Sequence, residues 1–137
     1  MTTTREIMTS DATCVSENDT LADAAGTMRE LEVGALPICG EDDRLLGVLT
    51  DRDIVVRCLG AGGDPRETLV KELAQGKPVT IGADDDVEEA LRTMAHHQVR
   101  RLPVIDGHEI VGMVSQADIA RNLPEDRVGE LLAALSF

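Results

Sequence analysis

Apolar positions along this chain switch between two periods, and the switches mark out its elements. A short β-branched run at 13–15 predicts a strand. After it, Leu21, Ala24, Ala25 and Met28 recur at helical spacing, so a helix with one apolar face is predicted there. Runs at 35–39 and 45–49, separated by the polar turn 40–43, predict two strands joined as a hairpin. A second helix is predicted at 51–59, followed by a Gly-rich linker at 60–65. The same series then recurs. It gives a strand at 79–81, a helix carrying Val87, Ala90, Leu91 and Met94 on one face, strands at 102–105 and 110–114 around the turn 106–108, and a helix at 116–123. Pro124 opens a last amphipathic helix whose stripe reads Val128, Leu131, Leu132 and Leu135.

The recurrence is a sequence repeat. At an offset of 66, Glu6 meets Glu72, Asp19 meets Asp85, Ala24 meets Ala90, Met28 meets Met94, Leu36 meets Leu102 and Pro37 meets Pro103. One residue is lost in the hairpin turn, after which Gly47 meets Gly112, Asp53 meets Asp118 and Ile54 meets Ile119 at an offset of 65. Each copy therefore reads β-α-β-β-α over about 55 residues, too few to bury a good core alone. The fold class expected is α/β (α+β), with two such repeats packed sheet to sheet about a pseudo-two-fold axis. Residues 1–66 hold the first repeat with its linker, and 67–137 the second repeat with the C-terminal helix. Thr20 with Asp23 resembles a capping box, and Asp84, Asp85, Asp86, Glu88 and Glu89 put negative charge where the second copy's helix begins.

Charge narrows the classes of partner. The 137 residues carry 26 acids against 13 Lys and Arg, a net charge of −13, and the acids are shared equally between the two halves. Such a field repels phosphate backbones and anionic lipid heads, which argues against nucleic acid and membrane as partners. Phe137 is the single aromatic residue, so any flat heterocycle must lie between aliphatic walls. The N-terminus lacks the layout of a signal peptide and no long apolar run occurs, so a cytoplasmic location is expected. The three cysteines and three histidines stand at no metal-site spacing, and no metal is expected.

The chemistry-bearing signal is Gly-x-x-(Thr/Ser)-x-x-Asp, present as GVLTDRD at 47–53 and GMVSQAD at 112–118. Each spans a strand end and a helix start, where a hydroxyl and free backbone N–H groups can hold phosphate. A carboxylate one turn on is placed to accept from ribose hydroxyls. The plainer alternative makes Thr50 and Ser115 N-caps, with Asp53 and Asp118 completing the first turn. Arg100 and Arg101 precede Leu102-Pro103, a pair suited to clamping an anion or to bridging nearby acids. The first copy has Gly34 and Ala35 at these places, which makes its site the weaker phosphate binder.

GVLTDRD, GMVSQAD, ALPI and RRLPV together resemble a tandem pair of CBS domains, a Bateman module, over residues 5–123. The stretch GALPICGEDDRLLGVLTDRDIVVR is similar to stand-alone pairs of the stress-response type, which have no attached enzyme or channel. The resemblance implies a non-catalytic regulatory homodimer with an unknown protein effector. Its clefts between the repeats would take an adenosine-type ligand: AMP, ADP, ATP, in some members S-adenosylmethionine or NADH. Carried over by position, Asp53 and Asp118 would hold ribose, Thr50 and Ser115 the phosphate, and Arg100 and Arg101 would neutralise it. Thr13, Cys14 and Val15 would flank adenine in one site, Thr80 and Ile81 in the other.

A different reading is a ligand-free or redox-responsive interaction module in which Cys14 and Cys39 form a bridge that blocks the first cleft. Two buried thiols are the alternative, since bridging needs Cα atoms within about 7 Å. An enzyme is the weakest reading. No Gly-x-Ser-x-Gly occurs, Gly76-Lys77 is followed by Pro78 instead of a hydroxyl residue, and His96 and His97 suit the end of a helix.

Overall fold

The computed structural model describes residues 2–10, 13–74 and 76–136. In chain order the elements are α1 (Thr4–Ile7), β1 (Thr9–Ser10), β2 (Val15–Ser16), α2 (Leu21–Leu31), β3 (Ala35–Cys39) and β4 (Leu45–Thr50). Next come the single turn α3 (Asp51–Asp53), a π-helix over Ile54–Leu59 and a 3-10 turn over Val70–Glu72. The rest is β5 (Ile81–Gly82), α4 (Val87–His97), β6 (Arg101–Asp106), β7 (Glu109–Ser115), α5 (Gln116–Asn122) and α6 (Glu125–Ala134). The chain is thus mixed α/β with two sheets. Among the described residues no helix is long and apolar enough to cross a membrane.

Two compact units form, one from residues 13–78 and the other from residues 2–10 with 79–136. The contiguous unit carries the sheet β2-β3-β4, with β2 parallel and β4 antiparallel to β3. Its core gathers Val15, Leu21, Ala24, Met28, Leu36, Ile38, Leu49, Ile54, Cys58, Val70 and Leu73. The helical period of α2 thus delivers Leu21, Ala24 and Met28 inward, while Ala25, expected on that face, is exposed. Thr20 caps α2 by accepting from the Asp23 amide at 3.1 Å.

The other unit has the sheet β1-β7-β6-β5 and buries Ile81, Val87, Ala90, Met94, Leu102, Val104, Val114 and Ile119. Helix α6 closes it with Leu131 and Leu135, and Arg127 donates to Glu88 at 2.9 Å on the first turn of α4. Leu132 is a correction to the expected stripe: it is 63% exposed, because the i, i+4 pair Leu131 and Leu135 already covers the core.

The repeat explains how each unit is closed. In the contiguous unit, the Leu21 amide donates to Thr68, Val70 to Asp19 and Lys71 to Glu17. In the other, the Val87 amide donates to Thr2, Thr4 to Asp85 and Arg5 to Ala83. These partners are related by the same offset of 66, so a leading segment of six or so residues closes a helix start in each unit. The N-terminal segment is also fixed by side chains. Thr4 is fully buried with its hydroxyl on Asp85, and Arg5 donates to Asp106 at 2.8 Å with Asp84 nearby. The bond to Asp106 raises the Arg5 pKa above its ordinary value.

The two motif glycines differ in what they make possible. A Cβ on Gly112 would lie 2.6 Å from the Thr9 carbonyl oxygen and 2.7 Å from the Met8 sulfur, because β1 runs against β7 there. On Gly47 it would meet only Ile38 at 3.7 Å and Ala74 at 4.0 Å. Gly112→Ala is therefore expected to destabilise by about 2–3 kcal/mol, the range of forced overpacking, and Gly47→Ala to be nearly neutral. Urea denaturation of the two variants checks the contrast.

Candidate functional site

The strand-to-helix junctions after β4 and β7 fold by the same local rule. Thr50 and Ser115 keep extended backbone conformations at the N-cap, and their hydroxyls accept from the amides of Asp53 and Asp118, both at 3.1 Å. The carboxylates return the bond, each through Oδ2 at 2.9 Å, to the amides of Thr50 and Ser115. The capping alternative is thus realised, yet it leaves chemistry unspent. Each hydroxyl has used one acceptor site and keeps its O–H donor for an anion, and each carboxylate keeps Oδ1 for a second donor.

The second oxygens face guanidinium groups that the sequence reading did not single out. Arg121 bonds Asp118 Oδ1 through Nη2. Arg57 lies 3.9 Å from Asp53 Oδ1 and donates to the Leu73 carbonyl at 2.8 Å. The spacings i, i+3 and i, i+4 after an Asp were the available signal. Among the described residues Asp118 is the one charged residue that is buried, with 5% exposure.

The Arg pair falls beside the second junction. Arg101 is the cross-strand partner of Ser115, and the Arg100 carbonyl accepts from the Gln116 amide at 2.9 Å. The first junction has the same backbone arrangement, with Ala35 opposite Thr50 and the Gly34 carbonyl accepting from Asp51 at 2.9 Å, and no cation at those positions.

The residues expected to flank adenine lie further along each sheet. Ile81 pairs with Val104, three residues along β6 from Arg101, or roughly 10 Å at strand spacing. Val15 pairs with Ile38, three along β3 from Ala35. Val15 and Ile81 themselves are core side chains, 3% and 4% exposed, so what their strands can turn outward is backbone and the neighbours Thr13 and Thr80. Cys14 is joined to Cys39 by a disulfide, with Cα atoms 5.7 Å apart. The bridge ties the start of β2 to the end of β3 beside the first of these surfaces.

Known proteins share the sequence pattern and the fold. The family model described as CBS domain matches residues 5–60 and 70–125. Hypoxic response protein 1 of Mycobacterium tuberculosis is 51% identical over 135 residues, which span 98% of this chain and 94% of that protein. A crystal structure of hypoxic response protein I with two coordinated zinc ions superposes with a TM-score of 0.81 at 53% identity, covering 90% of this chain and 100% of that one. The CBS domain pair of protein MJ0100, crystallised with methylthioadenosine and S-adenosyl-L-methionine, shares the fold at 24% identity and a TM-score of 0.80, over 88% of this chain and 94% of that one. With both repeats matched and the mycobacterial relative aligned almost end to end, the chain belongs to the CBS-domain family, as a tandem pair of the regulatory kind.

Proposed function

We propose that this protein is a non-catalytic sensor that binds an adenosine-type ligand of the AMP, ADP or ATP class and relays a change of shape to a protein effector in the cytoplasm. The observation that carries the reading is the doubled hydroxyl–carboxylate junction, in register in both repeats, with Arg101 opposite one hydroxyl. In this reading Asp53 and Asp118 accept from ribose hydroxyls, and Thr50 and Ser115 donate to phosphate. Arg100 and Arg101 balance its charge, and the 13–15 and 80–81 segments flank the base. The adenosine compounds bound to the MJ0100 pair support trying this ligand class first. Zinc is named for the structure of hypoxic response protein I. Among the described residues no group of three His, Cys, Asp or Glu side chains is placed to share a metal ion.

Dye-monitored melting against AMP, ADP, ATP, S-adenosylmethionine and NADH tests the proposal. A ligand at 100 times its Kd stabilises by about 2.7 kcal/mol, a midpoint shift on the order of 10 °C. No shift with any of the five would sink it.

The homodimer belongs to the same proposal. Val55, Val56 and Leu59 on the π-helix are each at least half exposed, an apolar patch that solvent disfavours. Val56→Asp with Leu59→Asp is expected to convert a dimer to a monomer in light scattering while the melting transition stays cooperative. A variant that remains dimeric would place the interface elsewhere.

The disulfide favours a second reading, a redox-responsive module. Cys14 precedes Val15 on the strand proposed to flank adenine, so oxidation state and base binding share a backbone.

A further inference from the structure

The guanidinium groups on the two carboxylates point to a latch. We infer that Arg121, and more loosely Arg57, holds the carboxylate oxygen that a ribose must use, so that ligand binding is an exchange of Arg for ribose hydroxyls. This inference rests on the adenosine reading above.

Three observations carry it. First, the two oxygens of Asp118 are not equivalent. Oδ2 already accepts from the Ser115 amide inside the capping box, so Oδ1 is the less committed oxygen for an incoming donor, and Arg121 bonds that one. Second, the partners differ in mobility. The Asp118 side chain is 7% exposed and fixed, whereas Arg121 is 68% exposed and can leave for solvent at little cost.

Third, the contact recurs without being copied. In the repeat alignment Arg121 corresponds to Val56, and Arg57 corresponds to Asn122. Arg57 lies four residues after Asp53 and Arg121 three after Asp118. In an α-helix of about 3.6 residues per turn, the third residue falls short of a full turn and the fourth overshoots it. The first copy winds as a π-helix over Ile54–Leu59, whose wider turn makes the fourth residue also fall short. A different position, on a differently wound turn, thus reaches the same oxygen, Oδ1, in each copy. Duplication alone would not produce that.

The copies are latched unequally. Arg57 sits at 3.9 Å from Asp53 and is anchored to the Leu73 carbonyl, so its grip on the carboxylate is the weaker one.

Adenosine is the discriminating probe, because it offers ribose without a phosphate for either Arg to attract. Calorimetric titration would compare the parent, Arg121→Gln, Arg121→Lys and Arg57→Gln, with AMP run in parallel. Arg121→Gln is expected to bind adenosine roughly fivefold tighter than the parent and Arg57→Gln about twofold tighter. Arg121→Lys, which keeps a charge near Oδ1, should stay within a factor of about two of the parent. Adenosine binding by Arg121→Gln where the parent shows none also supports the latch. Equal, weaker or undetectable adenosine affinity in Arg121→Gln, with AMP still bound by the parent, overturns the latch and leaves the sensor standing. Absence of both adenosine and AMP binding from the parent and from Arg121→Gln overturns the two together.

Discussion

Serine at Cys14 is expected to lower the stability of the oxidised protein by about 3.5 kcal/mol, the loop-closure value for a bridge spanning 25 residues. The loop contains α2 and most of β3, so the unfolded chain gains freedom over a long stretch when the link is lost. Nothing comparable is lost from the folded side, because Cys39 is 5% exposed and its reduced thiol remains a well-packed apolar group. The midpoint of thermal unfolding should fall by roughly 10 °C in Cys14→Ser. Dithiothreitol should lower the parent by the same amount and leave the variant where it is. A parent insensitive to reductant would mean that the bridge contributes nothing in solution.

Asp118→Ala is expected to cost about 2–3 kcal/mol and to abolish nucleotide-dependent stabilisation. The first effect comes from the capping box. Without the carboxylate, the Ser115 amide loses its acceptor, Arg121 loses its partner, and the first turn of α5, which seats the fully buried Ile119, is no longer closed. The second comes from the lost ribose acceptor. Asp118→Asn separates them, since an amide oxygen can still accept from Ser115 while the charge is gone. Urea denaturation should place Asn within about 1 kcal/mol of the parent, and the melting panel should show most of the ligand shift lost. An Asn variant with the full shift would move the ribose contact away from this residue.

Most of the architecture is legible because burial imposes periodicity. The helical spacing of Leu21, Ala24 and Met28 and of Val87, Ala90 and Met94 marks α2 and α4, and the central hairpins fall within one or two residues of their expected ends. The doubled junction is legible because a cap, a glycine and a carboxylate must keep fixed distances along the chain. What escapes the sequence has no period to betray it. The strands β2 and β5 are two residues long and begin at Val15 and Ile81, later than expected, since their extent is decided by partners on β3 and β6. The polar stretch Thr2 to Glu6 aligns with Thr68 to Glu72, but alignment does not say which loop it will cover. Nor does IVVRCL announce a π-helix, the winding on which Arg57 meets Asp53. Cys14 and Cys39 stand 25 apart, a separation that permits a bridge without requiring one, and only the β2–β3 pairing brings them together.

The way each unit is closed has a consequence for the order in which the chain is made. Residues 13–78 complete their own contacts as soon as they leave the ribosome, whereas Thr4 must wait for Asp85, 81 residues later, and β1 must wait longer still for β7. Residues 2–10 are therefore made before the segment they close and placed after it. During that interval the carbonyls of Ala83 and Asp85, the amide of Val87 and the apolar edge that Ile7 will cover stand open, and the leading segment works as a clasp supplied early and fastened late.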